Sequence, residues 1–173
     1  MRSLKLPALM PDEQGATLVE FAFVFLVLAA IMFGIMDFSR FVYADHFVAS
    51  AAREGTRFAA VRGSTWTTTC ASTTTYACIA TPSMVTSYVQ GMAPMGITAS
   101  SLTVNTTWPG TPTSTQATDP CVTSSATTSD PIPNNNPGCY VQVVVSYPFQ
   151  FMFPFMPTST WTVSSTSVMV ISE

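Results

Sequence analysis

A carboxylate inside an apolar run is the first residue of this chain that asks for a chemical explanation. The stretch "GATLVEFAFVFLVLAAIMFG", residues 15–34, carries Glu20 near its start. An ionised acid costs roughly 2.5–3.5 kcal/mol at the centre of a bilayer and less near its edge. One reading is therefore a plain membrane anchor that tolerates an acid close to the interface. The other reading begins at Gly15. A cut after Gly15 would give Ala16 a new α-amino group, and Glu20 would become the fifth residue of the shortened chain. A neighbouring helix, shifted along a bundle, could bring its own terminal ammonium to this carboxylate. An unpaired charge is costly in a low-dielectric bundle, so the pair would favour one register. Glu20 would then specify assembly and perform no chemistry.

The other reactive side chains point away from catalysis. Cys70, Cys78, Cys121 and Cys139 all fall in the charge-poor part of the chain. An even number of cysteines in one domain suggests disulfides, and so an oxidising compartment. Pairing of near neighbours, Cys70–Cys78 and Cys121–Cys139, is the first of three possible connectivities. No pair has C-x-x-C spacing and the one histidine, His46, lies elsewhere, which argues against zinc. No metal or other cofactor is expected. General acid–base catalysis needs positioned titratable groups. From Gly63 onward the charged side chains are Asp119, Asp130 and Glu173. His46 stands beside Asp45 on a helical stretch, where a solvated face suits it better than a catalytic dyad. No phosphate-cradling glycine loop occurs. These residues argue against an enzyme. All six basic residues lie at or before Arg62 and form no basic patch, which argues against nucleic-acid binding.

The elements that must position Glu20 follow from the pattern around it. Hydrophobic residues make up 47% of the chain and charged residues 9%, against roughly 25% charged in an ordinary soluble domain. Residues 1–15 are a short polar leader. Ala16 to Met36 is apolar apart from Thr17, Glu20 and Gly34. As a helix it is ~32 Å long, enough to cross a hydrocarbon core of ~30 Å. No proline stands between Pro11 and Pro82, so the helix can continue. Beyond Asp37, the apolar positions Phe41, Ala44, Phe47, Val48, Ala51, Phe58 and Ala59 recur at helical spacing. Asp37, Arg40, Ser50, Arg53, Glu54 and Arg57 fall mostly on the other faces. Asp37/Arg40 and Glu54/Arg57 are opposite charges at helical spacing. Ala51, Gly55, Ala59 and Gly63 form a ladder of small residues. It permits close approach of another helix backbone, or packing of an alanine-rich helix on its own domain. Gly63 is placed to end the helix.

The rest reads as a small head. Residues 64–80 and 105–139, rich in Thr, Ser, Pro and Asn, are loops stapled by the cysteines. "TPSMVTSYVQGM" reads as a short helix, with Thr81 as cap, Pro82 in the first turn, and Met84, Val85, Tyr88, Val89 and Met92 on one face. Strands are expected at 101–107, 140–147 and 161–172. In the last, the apolar residues change phase after Val163, which suggests a bulge near Ser164–Ser165. "PFQFMFPFMP" joins the last two strands, with Phe149, Phe151, Phe153 and Phe155 alternating. It either folds over the core or presents an apolar patch to a neighbour or the membrane surface. The expected fold is α+β: a long N-terminal transmembrane, pilin-like helix, then a disulfide-stapled head with a short helix and an antiparallel sheet of about three strands. The expected segments are a leader at 1–15, a long helix at 16–62 that spans the membrane over 16–36, and an extracytoplasmic domain at 63–173.

The stretch "GATLVEFAFVFLVLAAIMFGIMDFSRFVYADHFVASAAREGTRFAAV" resembles the TadE/TadF-like pseudopilins of the tight-adherence (Flp) pilus system. The matching features are Gly15, Glu20 followed by aromatic Phe21, the apolar run, "GIMDFSRFVYAD" and "AAREGTRFAAV". The resemblance covers about residues 14–62. It implies a leader cut between Gly15 and Ala16 by a membrane prepilin peptidase on the cytoplasmic side. It also implies a minor pilin-like part of a bacterial pilus or secretion machine, whose partners are the membrane and other pilins or pseudopilins. Asp12 and Glu13 stand just before the site, where such leaders are often basic. The lack of Lys and Arg after Arg62, with the candidate disulfides, favours export of the C-terminal domain and a cytoplasmic N-terminus in the inner membrane. The alternative is an uncleaved, single-pass anchored binding module. Processing at Gly15 and the importance of Glu20 separate the two.

Overall fold

The absence of proline between Pro11 and Pro82 allows one uninterrupted helix, and one forms. The structure is a computed structural model that describes residues 13–66, 79–110, 121, 134–152 and 160–172. Helix α1 runs Glu13–Val61, 49 residues. Its two halves have different surroundings. The large apolar side chains from Leu18 to Met36 are all exposed. This part is long and apolar enough to cross a membrane, and none of it is buried against the rest of the chain. In the second half Ala44, Val48, Ala51, Ala52, Phe58, Ala59 and Ala60 are buried.

Helix α1 does not end on a glycine cap. Gly63 is buried beyond the helix end, and the glycines with positive φ among the described residues are Gly96, Gly110 and Gly138. A helix end leaves four backbone carbonyls without partners. Here groups beyond the helix end supply them, two of them distant in sequence. The Ser172 amide donates to Ala60 O at 3.0 Å, and the Ala80 amide to Arg62 O at 2.9 Å. The Arg62 guanidinium donates to Phe58 O at 3.3 Å. The ending is tertiary, which is why a local glycine rule misplaces it.

Helix α2 is Pro82–Gly91, and a one-turn 3-10 helix follows at Ala99–Ser101. The Met84 amide donates to the Thr81 hydroxyl at 3.3 Å, so Thr81 caps α2 as expected. Val85 and Val89 are its buried residues. Three strands follow: β1 Thr103–Gly110, β2 Tyr140–Phe149 and β3 Trp161–Val170. They pair antiparallel in the order β1-β2-β3. Strand β2 is central, and Val141, Val143 and Val145 are fully buried at alternate positions. Helix α1 packs on β2 and β3, and α2 on β1. The core lies between the helices and one face of the sheet.

The expected bulge near Ser164–Ser165 is absent. Pairing of β2 with β3 is unbroken from Tyr140↔Val170 to Phe149↔Trp161. The irregularity sits in β1, between Thr107 and Gly110. The apolar phase changes because Ser165 and Ser167 lie opposite the buried Val145 and Val143. Those inward positions hold small residues where α1 crosses β3. Val168 and Val170 fall on the other face and are about half exposed.

Cys121 and Cys139 form a disulfide. Cys70 and Cys78 lie outside the described residues, as do Phe153 and Phe155.

Candidate functional site

Gly15, Ala16, Glu20 and Phe21 all lie on α1 and are exposed. The chain is already helical at Glu13, so the Gly15–Ala16 bond lies within the helix. The Phe21 and Phe25 rings stack one turn apart, centroids 6.2 Å. Among the described residues none pairs with Glu20. It is a carboxylate standing on the bare apolar surface, ~24 Å along the axis from Met36 at 1.5 Å per residue.

The small residues of α1 face the chain's own head. Ala51 and Ala59 are buried. A Cβ on Gly55 would stand 2.9 Å from Val89 Cγ2 and 3.4 Å from Val143 Cγ1. The ladder therefore lets α1 approach α2 and β2. Thr56, beside it, is fully buried. Its hydroxyl lies 2.6 Å from Ala52 O and 3.3 Å from Ser167 O. It ties the helix to β3. Gly55→Ala gains about 1 kcal/mol of helix propensity, yet forces two rigid valines apart, which costs about 1–3 kcal/mol. The expected net loss is about 1 kcal/mol. Thermal unfolding of Gly55→Ala with and without Val89→Ala checks it: the second change should remove the clash, so the two effects are not additive.

Where the exposed half of α1 meets the head, charge and aromatic rings converge. Asp37 is only 5% exposed, against its expected place on a solvated face. The Arg40 guanidinium donates to its carboxylate at 3.0 Å and lies 5.5 Å from the centre of the Phe149 ring. Phe41 meets Phe149 edge-on at 5.5 Å and Phe151 face-on at 6.3 Å. Phe151 meets Trp161 at 6.1 Å. At the far end of α1, Arg62 lies over the Phe58 ring at 4.0 Å, and Phe58 stacks on Tyr88 at 4.4 Å. Glu54 and Arg57, spaced like Asp37 and Arg40, do not pair with each other; they line a shallow groove with Phe58 and Arg62. His46 is exposed.

Helix α1 thus couples a bare apolar stretch, residues 16–36 with one acid, to a half built into a head. Residues 15–57 match the family model of TadE-like proteins. No curated protein and no solved structure matches the chain. The TadE-like segment begins at Gly15 and takes in Glu20, Phe21, Asp37, Arg40, Ala51, Gly55 and Thr56. It stops at Arg57, before α2, the sheet and the disulfide. A TadE-like segment suggests a component associated with the tight-adherence pilus.

Within the TadE-like segment the structure separates two groups of residues. Glu20 and Phe21 touch nothing in the head among the described residues. Gly55 and the buried alanines hold the head on its stalk. Asp37, Arg40 and Thr56 join the second group; the spacing of Asp37 and Arg40 announced their ion pair, whereas reading the sequence alone did not single out Thr56. The "GT" of "AAREGTR" offered a signal for Thr56: a hydroxyl next to the glycine of closest helix approach.

Proposed function

We propose that this chain is a minor pilin-like structural component of a bacterial tight-adherence pilus or type II-like secretion machine. A prepilin peptidase removes residues 1–15, and the protein enters the machine through α1. The new terminus is Ala16, residues 16–36 hold the chain in the inner membrane, and the domain from residue 63 lies in the periplasm or outside the cell. The observation that carries this reading is the division of α1. In its first half, residues 16–36 are apolar, exposed over their large side chains and marked by a single carboxylate, Glu20. Its second half is already packed, so the free surface for contact with neighbouring helices is the part bearing Glu20.

The start of α1 favours a second reading. A peptide bond inside a helical turn must unwind to enter a protease cleft, and α1 begins ahead of the Gly15–Ala16 bond. An uncleaved single-pass anchor carrying a binding head would keep this arrangement. Mass spectrometry of the protein from membranes that contain the peptidase decides between them. A chain beginning at Ala16 is the expected result. A chain beginning at Met1 would overturn the pilin-like reading in favour of the anchored module.

A further inference from the structure

We propose that the end of the head nearest the membrane is a seat on the bilayer, in which Met95, Met152 and Trp161 enter the headgroup layer of the membrane that α1 crosses. The inference rests on the reading of residues 16–36 as a membrane span.

The direction of the head is set by its contacts with α1. Phe149, at the end of β2, meets Phe41. Ser172, just past β3, bonds to Ala60. The end of β2 and the start of β3 therefore lie on the side of the span, and the start of β2 lies away from it. The segment after α2 comes to the same end, where the Tyr43 hydroxyl lies 3.5 Å from Met95 O. The tips there are apolar and bare: Met95 is 98% exposed, Met152 72% and Trp161 58%.

Depth and charge then select lipid as the occupant. Phe41 follows Met36 by ~7 Å along the axis. The headgroup layer on each side of the hydrocarbon is roughly 5–7 Å deep. The cluster of Phe41, Phe149, Phe151 and Trp161 therefore stands at that layer in every copy of the anchored chain. Tryptophan and tyrosine favour this zone because one end of the ring system is apolar and the other polar. No Asp, Glu, Lys or Arg occurs in residues 92–98 or 147–161, so entry desolvates no charge. The acid at the junction, Asp37, is buried and held by Arg40. Arg40, the cation beside Phe149, is paired with Asp37, so the seat carries no net charge and takes zwitterionic lipid without help from anionic headgroups.

The three tryptophans allow a direct test. Trp108 lies toward the end of β1 that pairs near Tyr140, and Trp66 lies past the end of α1, so both are on the side away from the span. The full chain is reconstituted in phosphatidylcholine vesicles, with and without lipid spin-labelled near the top of the acyl chain. Flotation and tryptophan fluorescence are read together. The expected result is co-flotation with quenching that Trp161→Phe abolishes and Trp66→Phe preserves. Glu at the exposed positions, Met95→Glu with Met152→Glu, should lower that quenching about twofold or more without unfolding the head. A chain that floats with the vesicles while its Trp161 ignores the label overturns the seat and leaves the anchor intact. A Trp161 signal that follows protein density and not the label assigns the patch to a second copy and overturns the seat. A chain that does not float overturns the anchor, and the seat with it.

Discussion

Glu20→Gln is expected to leave the chain in the membrane fraction and to lower its recovery in sheared pili by at least about tenfold. Glutamine matches glutamate in shape and is cheaper to place in lipid, so the span should insert at least as well. What the change removes is the charge that a neighbour's Ala16 ammonium would find. Removing one partner of a buried ion pair costs about 3–5 kcal/mol because the other charge is left uncompensated. Each ~1.4 kcal/mol is a factor of ten in an equilibrium. Water at the edge of a bundle weakens the penalty, which sets the lower bound above. Glu20→Asp keeps the charge on a shorter arm and should fall between the two. The measurement is the ratio of protein in membranes to protein in sheared pili for the three chains. Normal recovery of Glu20→Gln would show that Glu20 does not set the register.

What the sequence made legible was local. The long helix follows from apolar spacing and missing proline. Helix α2 follows from Thr81, Pro82 and a single apolar face. Strand β2 follows from alternate valines, and Cys121–Cys139 from short separation in one domain. The misreadings share one cause, which is that a distant element sets the residue's surroundings. Ser165 and Ser167 looked like a bulge because nothing nearby in sequence announces that α1 lies across them. Gly63 looked like a cap because the amides of Ser172 and Ala80, which close the helix end, are far along the chain. Asp37 looked solvated because Phe149, which brings the head down beside it, is more than a hundred residues away. Glu20 is the reverse case. Its residue type alone makes it conspicuous, and the proposed partner belongs to another copy, so no contact among the described residues reports it. Its role is read from chemistry, while the role of Gly55 is read from the distance to Val89.

Removal of the Cys121–Cys139 bond is expected to cost the head about 3 kcal/mol, the chain-entropy value for a loop of this size. The two cysteines are 18 residues apart, and both are buried. Cys139 precedes β2 directly, and its carbonyl accepts the Ile171 amide at 2.8 Å. The Cys121 carbonyl stands so close to Gly110 that any Cβ there would collide with it, and Gly110 has φ +76°. The bond therefore clamps the end of β1 to the start of β2, at the end of the head away from the span. Replacement of both cysteines by alanine avoids burying new hydroxyls. In detergent, the double variant should lose its near-ultraviolet signal at a lower temperature, while the far-ultraviolet signal of α1 persists. An unchanged midpoint would mean that the sheet and helices hold this corner without the bond. The same experiment bears on topology. A disulfide forms in an oxidising compartment, so a head that acquires the bond only after export gains stability at the moment it reaches the side where it would meet its partners. Thiol labelling of newly made chains should then find Cys121 and Cys139 free before translocation and blocked after it; cysteines that stay free after export would remove this link between the covalent structure and the direction of the chain.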